Sequence, residues 1–274
     1  MDKKLKEYGG IAVKSAVAIL FISPVYIMFV YSFKSQQDIM NTGLALPRRL
    51  MLDNFINAVK TSNLGQAMSN SLISVILMTL ITIMASSMAA YIITRKNNRF
   101  YNTMYYLFLA AIILPFQVIM LPMYMVLQKL HLMNSLPGYV LAMSGLQMAF
   151  SVFIIAGFVK TIPVELEEAA HIDGAGKYQT FWRIIFPLMK PIIMTTIVLD
   201  ALALWNDLIA ALIILQKGKL RTLTLAQYSF ISQYSTDLGK AFAAFTLSII
   251  PIVILYFFLQ KYIISGIVAG AVKG

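Results

Sequence analysis

The chain has 274 residues, of which 59% are hydrophobic and 12% charged, against roughly 45 to 50% apolar and about 25% charged in soluble globular domains. This composition argues against a soluble enzyme. The absence of Cys excludes disulfide frameworks, thiolate nucleophiles, zinc ribbons and thiol-ligated iron clusters, two His leave little for metal chemistry, and a net charge of +11 in so apolar a chain fits loop cations facing anionic lipid.

A helix rises about 1.5 Å per residue, so a hydrocarbon core of roughly 30 Å takes about 20 predominantly apolar residues. Runs of that size lie at Val13 to Phe33, Leu72 to Thr94, Met104 to Leu127, Pro137 to Phe158, Ile192 to Leu215 and Phe242 to Ile264. The expected fold is an all-α integral membrane protein with six transmembrane helices. The first run follows Lys3, Lys4 and Lys6 but continues past Pro24 with no small-residue cleavage site, so it reads as a retained anchor. With the N-terminus inside, Lys3, Lys4, Lys6, Lys14, Arg95, Lys96, Arg99, Lys160, Lys177, Arg183, Lys190, Lys261 and Lys273 are cytoplasmic. They outnumber Lys34, Arg48, Arg49, Lys60, Lys129, Lys217, Lys219, Arg221 and Lys240 on the other face. Both termini are then cytoplasmic, while Asn54 and Tyr234 face outward. Pro115 and Pro122 interrupt the third run, which is expected to stay one kinked helix against other helices or a wet cavity.

The loop from Val159 to Lys190 carries Glu165, Glu167, Glu168 and Asp173. Its Gly174-Ala175-Gly176-Lys177 is like the end of a P-loop, but His171 and Tyr178 stand where Gly and Ser or Thr are required, so this chain is not expected to bind ATP alone. No H-E-x-x-H or G-x-S-x-G occurs, and neither His131 nor His171 falls within a span, which leaves catalytic and metal-binding residues unassigned. Pro163 suits a first helical turn, carboxylates suit its positive end, and Ala169 with Ala170 keep one helix face small. Gly174 provides a left-handed stop, and Phe181, Trp182, Ile184, Ile185 and Phe186 resume a second amphipathic piece closed by Pro187 and Pro191. Two short helices at an elbow, the first slender and small-crested, suit insertion into a groove of another protein.

The run Glu168-Ala169-Ala170-His171-Ile172-Asp173-Gly174-Ala175, with Phe181, Ile184, Pro187 and Pro191 after it, closely resembles the EAA signature of bacterial ABC-importer permeases. Likeness to the smaller, six-span subunit of the maltose-type carbohydrate permeases extends over nearly the whole chain. It runs through Pro24, Ser32-Phe33-Lys34, Asn54-Phe55, Asn70-Ser71, Ala90-Tyr91, Arg95, Pro115, Pro122-Met123-Tyr124, Trp205-Asn206, Pro251, Gln260 and the ending Gly266 to Gly274. Where that family usually has Trp-Asn-Glu-Phe, this chain has Trp205-Asn206-Asp207-Leu208.

The resemblance implies a single permease domain over 1–274 in the bacterial cytoplasmic membrane, with a coupling loop at 159–190 between helices 4 and 5 and a cytoplasmic tail at 265–274. It implies a homologous partner permease, two cytoplasmic ATPase subunits that hold ATP and Mg, an extracytoplasmic solute-binding protein and a carbohydrate substrate. No cofactor is expected on this chain, and no nucleic-acid partner. ATPase coupling is expected at Glu168, Ala169, Ala170, Asp173 and Gly174, and a tail contact with the ATPases at Gly270, Lys273 and Gly274, the tail lying as an extended strand. Asn206 and Asp207 lie about 21 to 24 Å of continuous helix beyond Pro191, toward the outer half of the membrane. With Asp200, Gln117 and Tyr124 they are candidates for a translocation path, since intramembrane polar groups face protein or water. An importer permease for a non-sugar solute, or an ion-coupled transporter using Asp200 or Asp207 as relay, is the alternative.

Overall fold

The computed structural model describes all residues except 1, 62, 97, 234–236 and 272–274, with backbone alone for 2–7, 61, 229–233, 259 and 261–271. In chain order the helices are α1 (Asp2–Ser32), α2 (Gln36–Thr42), α3 (Asp53–Thr61), α4 (Leu64–Arg95), α5 (Arg99–Ile113), α6 (Phe116–Lys129), α7 (Leu136–Val159) and α8 (Glu165–Ile172). They continue as α9 (Lys177–Thr180), a π-helical turn (Phe181–Ile185), α10 (Phe186–Leu188), α11 (Lys190–Trp205), α12 (Ile209–Ile214), α13 (Leu223–Gln233) and α14 (Leu238–Ala271). Strands are absent among the described residues. The internal contacts divide the chain into two compact units, Met1–Gln66 with Leu225–Ile250, and Ala67–Thr224 with Pro251–Gly274.

Four helical stretches are long and apolar enough to cross a membrane: Tyr8–Ser32, Leu64–Arg95, Leu136–Val159 and Leu238–Phe258. The third apolar run is broken, not kinked. Leu114 before Pro115 is extended (φ −70°, ψ 123°), as the proline ring demands of its predecessor, and α5 and α6 meet at 108°. Pro122, by contrast, sits inside α6. The fifth run is also divided: α11 ends at Trp205, and a separate helix starts at Ile209. The helix of the sixth run does not end near Ile264 but continues through Ala271. A glycine costs a helix only about 1 kcal/mol, less than freeing backbone N–H and C=O groups near the bilayer.

The packing of α4 in the second unit is that of a helix in lipid. Its buried residues Ala67, Asn70, Ser71, Ser74, Met78, Thr82, Ser86 and Ala90 recur at helical spacing and are mostly small or hydroxylated, while Leu72, Ile73, Ile76, Leu77, Leu80 and Ile81 are exposed. Small residues allow backbones to approach, and hydroxyls supply cross-helix hydrogen bonds. Thr82 and Ser86 donate to the carbonyls of Ser144 and Met148 on α7, and Ser144 donates back to Met78, each at 3.4 Å. Toward α8, Ile83 and Ala90 join Ile155, Val159, Ile162, Phe181, Ile185 and Met189 in an apolar core.

In the first unit, one amide and one ammonium close the chain end of α1. Asn54 Nδ2 donates to the carbonyls of Ser32 (3.0 Å) and Lys34 (2.8 Å), and the buried Lys34 Nζ donates to Thr42 Oγ1 (2.9 Å) and the Gly43 carbonyl (2.6 Å). Gly239 packs directly on this knot: a methyl group there would lie 2.5 Å from the Lys34 carbonyl oxygen and 2.8 Å from Asn54 Nδ2. Gly239→Ala is therefore expected to cost about 1 to 3 kcal/mol by overpacking, read as a lowered thermal midpoint in detergent. Gly145→Ala, whose added methyl meets no atom within 4 Å, should not lower the midpoint.

Candidate functional site

The loop between α7 and α11 folds as its residues dictate. Glu165, Glu167 and Glu168 occupy the first turn of α8, where carboxylates complement the unpaired amides. The helix ends in a Schellman turn: Gly174 takes φ +83°, its N–H donates to the His171 carbonyl (3.1 Å), and the Ala175 N–H reaches back to Ala170 (2.8 Å). The chain then returns through α9 into the π-helical turn, in which the Phe186 N–H donates to the Phe181 carbonyl. A regular helix there would press the Pro187 ring against the Arg183 carbonyl, and one extra residue in the turn removes that clash. The segments Lys177–Leu188 and Lys190–Trp205 then bend by 72°.

Helix α8 has two distinct faces. Glu168, Ala169, Ile172, Asp173 and the neighbouring Gly174 are exposed, whereas Glu167 and Ala170 are buried. Of the residues expected to couple to an ATPase, Ala170 thus turns inward and the other four outward, and the two alanines do not share one small crest. Ile172, 87% exposed, is a large apolar group on the outer face that the sequence reading left without a role. On the inner face, the Glu167 carboxylate accepts from Arg95 Nε (2.5 Å) and Tyr91 OH (2.7 Å) at the end of α4. Arg95 Nη2 also donates to the Ile162 carbonyl (2.8 Å). Glu167 was legible as an acid in the loop, and its burial follows from sharing the α8 face with Ala170 three residues on.

The candidate path residues are not brought together. Asp200 is fully buried, its carboxylate accepting from Gln147 Nε2 (2.8 Å) and Ser151 Oγ (2.8 Å) on α7. Asp207 lies beyond the end of α11, where it accepts from Tyr139 OH (2.8 Å) and from the backbone N–H groups of Ala210 (3.3 Å) and Ala211 (3.0 Å) at the start of α12. Its shorter side chain acts as a helix cap, and Thr224 Oγ1 donates to its carbonyl (2.6 Å). Asn206 is exposed, and its Nδ2 donates to the Leu202 carbonyl (2.8 Å). Gln117 is exposed on the first turn of α6 and Tyr124 is half-buried two turns on. Neither is hydrogen-bonded to Asp200, Asn206 or Asp207 among the described residues. A cleft of about 610 Å³ between α4, α11 and α14 is lined by side chains such as Val75, Leu80, Ile197, Trp205 and Leu255, an apolar surface with little to offer a polar solute. The partners Gln147, Ser151 and Tyr139 were not expected from sequence, since nothing in the α7 run fixes which of its polar residues meets α11. Of the three tail positions, Gly270 lies on the helical backbone of α14, whereas Lys273 and Gly274, like the expected outward residue Tyr234, lie outside the described residues.

Comparison with known proteins agrees with this architecture. Residues 81–268 match the family described as "Binding-protein-dependent transport system inner membrane component". The chain is 38% identical over 273 residues to the probable starch degradation products transport system permease protein AmyC of Thermoanaerobacterium thermosulfurigenes, covering 100% of this chain and 98% of the relative. It is 36% identical over 276 residues to the multiple sugar-binding transport system permease protein MsmG of Streptococcus mutans, covering 99% of each. Among solved structures, a bacterial ABC transporter involved in the import of the acidic polysaccharide alginate has a chain that superposes with a TM-score of 0.84 at 19% identity, covering 96% of this chain and 98% of that one. The chain therefore belongs to the binding-protein-dependent transport system inner membrane components, as a multi-pass permease and not an enzyme.

Proposed function

We propose that this permease carries carbohydrate into the cell as one half of an ATP-driven importer. A homologous partner permease completes the path, two cytoplasmic ATPase subunits hold ATP and Mg, and an extracytoplasmic binding protein delivers the sugar. The observation that carries the substrate class is full-length relatedness to permeases named for starch degradation products and for multiple sugars. Loss of labelled oligosaccharide uptake on deleting the chain, with amino-acid uptake intact, is the expected result; the opposite pattern would assign a non-sugar solute.

In this reading the chain spans the membrane six times, each bent pair crossing as one span, with both termini and α8 cytoplasmic. With no native Cys, single-cysteine labelling tests the orientation. Because Asn54 is buried and hydrogen-bonded, the exposed Lys60 on α3 is the better outward site. Lys60→Cys should react with an impermeant thiol reagent only from outside and Lys177→Cys only from inside; the reverse would invert the topology.

ATPase docking is assigned to α8 through Glu168, Ala169, Asp173 and Gly174, with Ala170 holding the helix against the membrane unit. Glu168 and Ala169 on a helix of 8 residues, with Asp173 and Gly174 just past its end, form an exposed ridge, the shape that a groove in a partner accepts. Contact of Gly270, Lys273 and Gly274 with the ATPases rests on the resemblance alone, and a helical backbone through Ala271 does not favour the extended form. At Gly174, a left-handed conformation costs an L-residue roughly 1 to 2 kcal/mol, and a branched side chain also widens the ridge. Gly174→Val should therefore leave membrane insertion normal while abolishing ATPase attachment or transport-linked hydrolysis. Transport unchanged in that variant would remove α8 from the docking role.

For the path, the placements of Asp200 and Asp207 favour structural hydrogen bonding, since both carboxylates are occupied by neighbouring helices. Asn206, exposed where α11 ends, keeps its side-chain oxygen available and is the stronger sugar-facing candidate, with Gln117 and Tyr124 on α6. Asn206→Leu should lower sugar uptake several-fold, at about 1 kcal/mol per lost hydrogen bond, without changing assembly. Collapse of the assembled complex instead would make Asn206 structural.

A further inference from the structure

Adjacent glutamates on α8 fall on different faces, one buried and one exposed. Successive helical residues are turned by about 100°, so Glu168 lies on the exposed face while Glu167 is buried beneath. The helix has only small or polar groups to hold it inward. Ala170 is its buried apolar residue, and the backbone enters and leaves through the turns at Ile162–Val164 and Asp173–Gly176. An 8-residue helix tethered at both ends by short turns pivots easily unless a side chain fixes it.

That side chain is Glu167. Both its carboxylate oxygens are engaged by α4, Oε1 by Arg95 and Oε2 by Tyr91. Tyr91 and Arg95 are four residues apart and therefore share one face of α4. The same two residues also reach the arms on either side of α8: Arg95 Nη2 holds the Ile162 carbonyl where the chain leaves α7, and the Tyr91 ring packs on Phe181 in the returning π-helical turn with centroids 5.2 Å apart. The pair is largely shielded, with side-chain exposures of 15% for Arg95 and 10% for Glu167, so water competes weakly for it and removing one partner strands the other.

The geometry points to Glu167 as a positioning residue, held by Arg95 and Tyr91, that fixes the docking helix to the foot of α4 so that α8 and the membrane-spanning α4 move as one piece. This rests on the reading of α8 as the ATPase-docking helix. Force applied by an ATPase to the outer ridge then passes through the Glu167 carboxylate into α4, a route that the flanking turns alone would absorb by bending.

The test uses the complete transporter in liposomes, with Ile92→Cys on α4 and Leu166→Cys on α8 carrying spin labels, both positions being exposed and off the docking ridge, and the chain otherwise free of Cys. Wild type should give one narrow inter-label distance distribution. Glu167→Ala should broaden it and, with the ATPases still bound and hydrolysing ATP, lower sugar transported per ATP on the order of tenfold. The reversed pair Glu167→Arg with Arg95→Glu should narrow the distribution again and recover part of that ratio. Glu165→Gln, on an exposed carboxylate of the same turn, should match wild type. If Glu167→Ala fails to insert, Tyr91→Phe removes one hydrogen bond while keeping the ring, and should broaden the distribution to a smaller degree. A distribution that stays narrow, or one that broadens with transport per ATP unchanged, overturns the proposal. Failure of the docking reading would show separately, as unchanged transport in Gly174→Val, because the distance between the labels reports the tie whether or not an ATPase binds there.

Discussion

Lipid tails are as apolar as leucine, so the helices of the second unit cannot be held together by hiding hydrocarbon. What joins α4 to α7 is a seam of serine, threonine and alanine, close enough for hydroxyls to reach carbonyls on the facing helix. The same constraint explains why Leu72, Ile73, Ile76, Leu77, Leu80 and Ile81 of α4 point away from the protein, the reverse of a soluble helix. It also explains why the fully buried carboxylate of Asp200 accepts hydrogen bonds from Gln147 and Ser151 on the facing helix. The membrane helices are thus registered by polar contacts, and the apolar side chains serve mainly to match the solvent.

Once spans are registered in this way, the breaks between them become structural devices. At Pro115 the missing amide and the restriction on Leu114 turn a single apolar run into two helices at 108°. The break after Trp205, at Asn206–Leu208, contains no proline. The break there is capped by Asp207, which satisfies the first amides of α12 while its own carbonyl accepts from Thr224. Backbone that leaves the helix among packed spans is tolerated only where protein groups take up the freed donors and acceptors, and Asp207 with Thr224 provides them. Asn70 and Ser71 do the same for the segment before α13: Asn70 Nδ2 donates to the carbonyls of Lys219 and Arg221, and Ser71 Oγ accepts from the Leu223 amide.

The loop after α7 follows the same logic. Its glycine stop and its proline-driven π turn shape the backbone locally, but the orientation of α8 is set by one shielded ion pair with α4. A helix fixed by its inner face leaves the outer face free, and the outer ridge of Glu168, Ala169, Ile172 and Asp173 is the part available to a partner.

Composition and run length by themselves determined that the chain is helical and membrane-embedded, because the hydrocarbon thickness sets a length that only long apolar runs meet. The local chemistry of the acidic first turn and of Gly174 likewise determined α8 and its end, since end charges and a positive φ depend on near neighbours in sequence, although the helix starts at Glu165, beyond Pro163. The spacing around Glu168 identified the family for the same reason, as a contiguous motif needs no tertiary contact to be recognised. Only the tertiary structure decided that Ala170 faces inward and Ile172 outward, that Glu167 and not Glu168 ties the helix to α4, and that Asp200 and Asp207 are occupied by α7 and by α12. Those outcomes depend on which polar group meets which across residues far apart in the chain. An apolar run, uniform on all sides, carries no periodic signal to say which of its faces a neighbouring helix will cover.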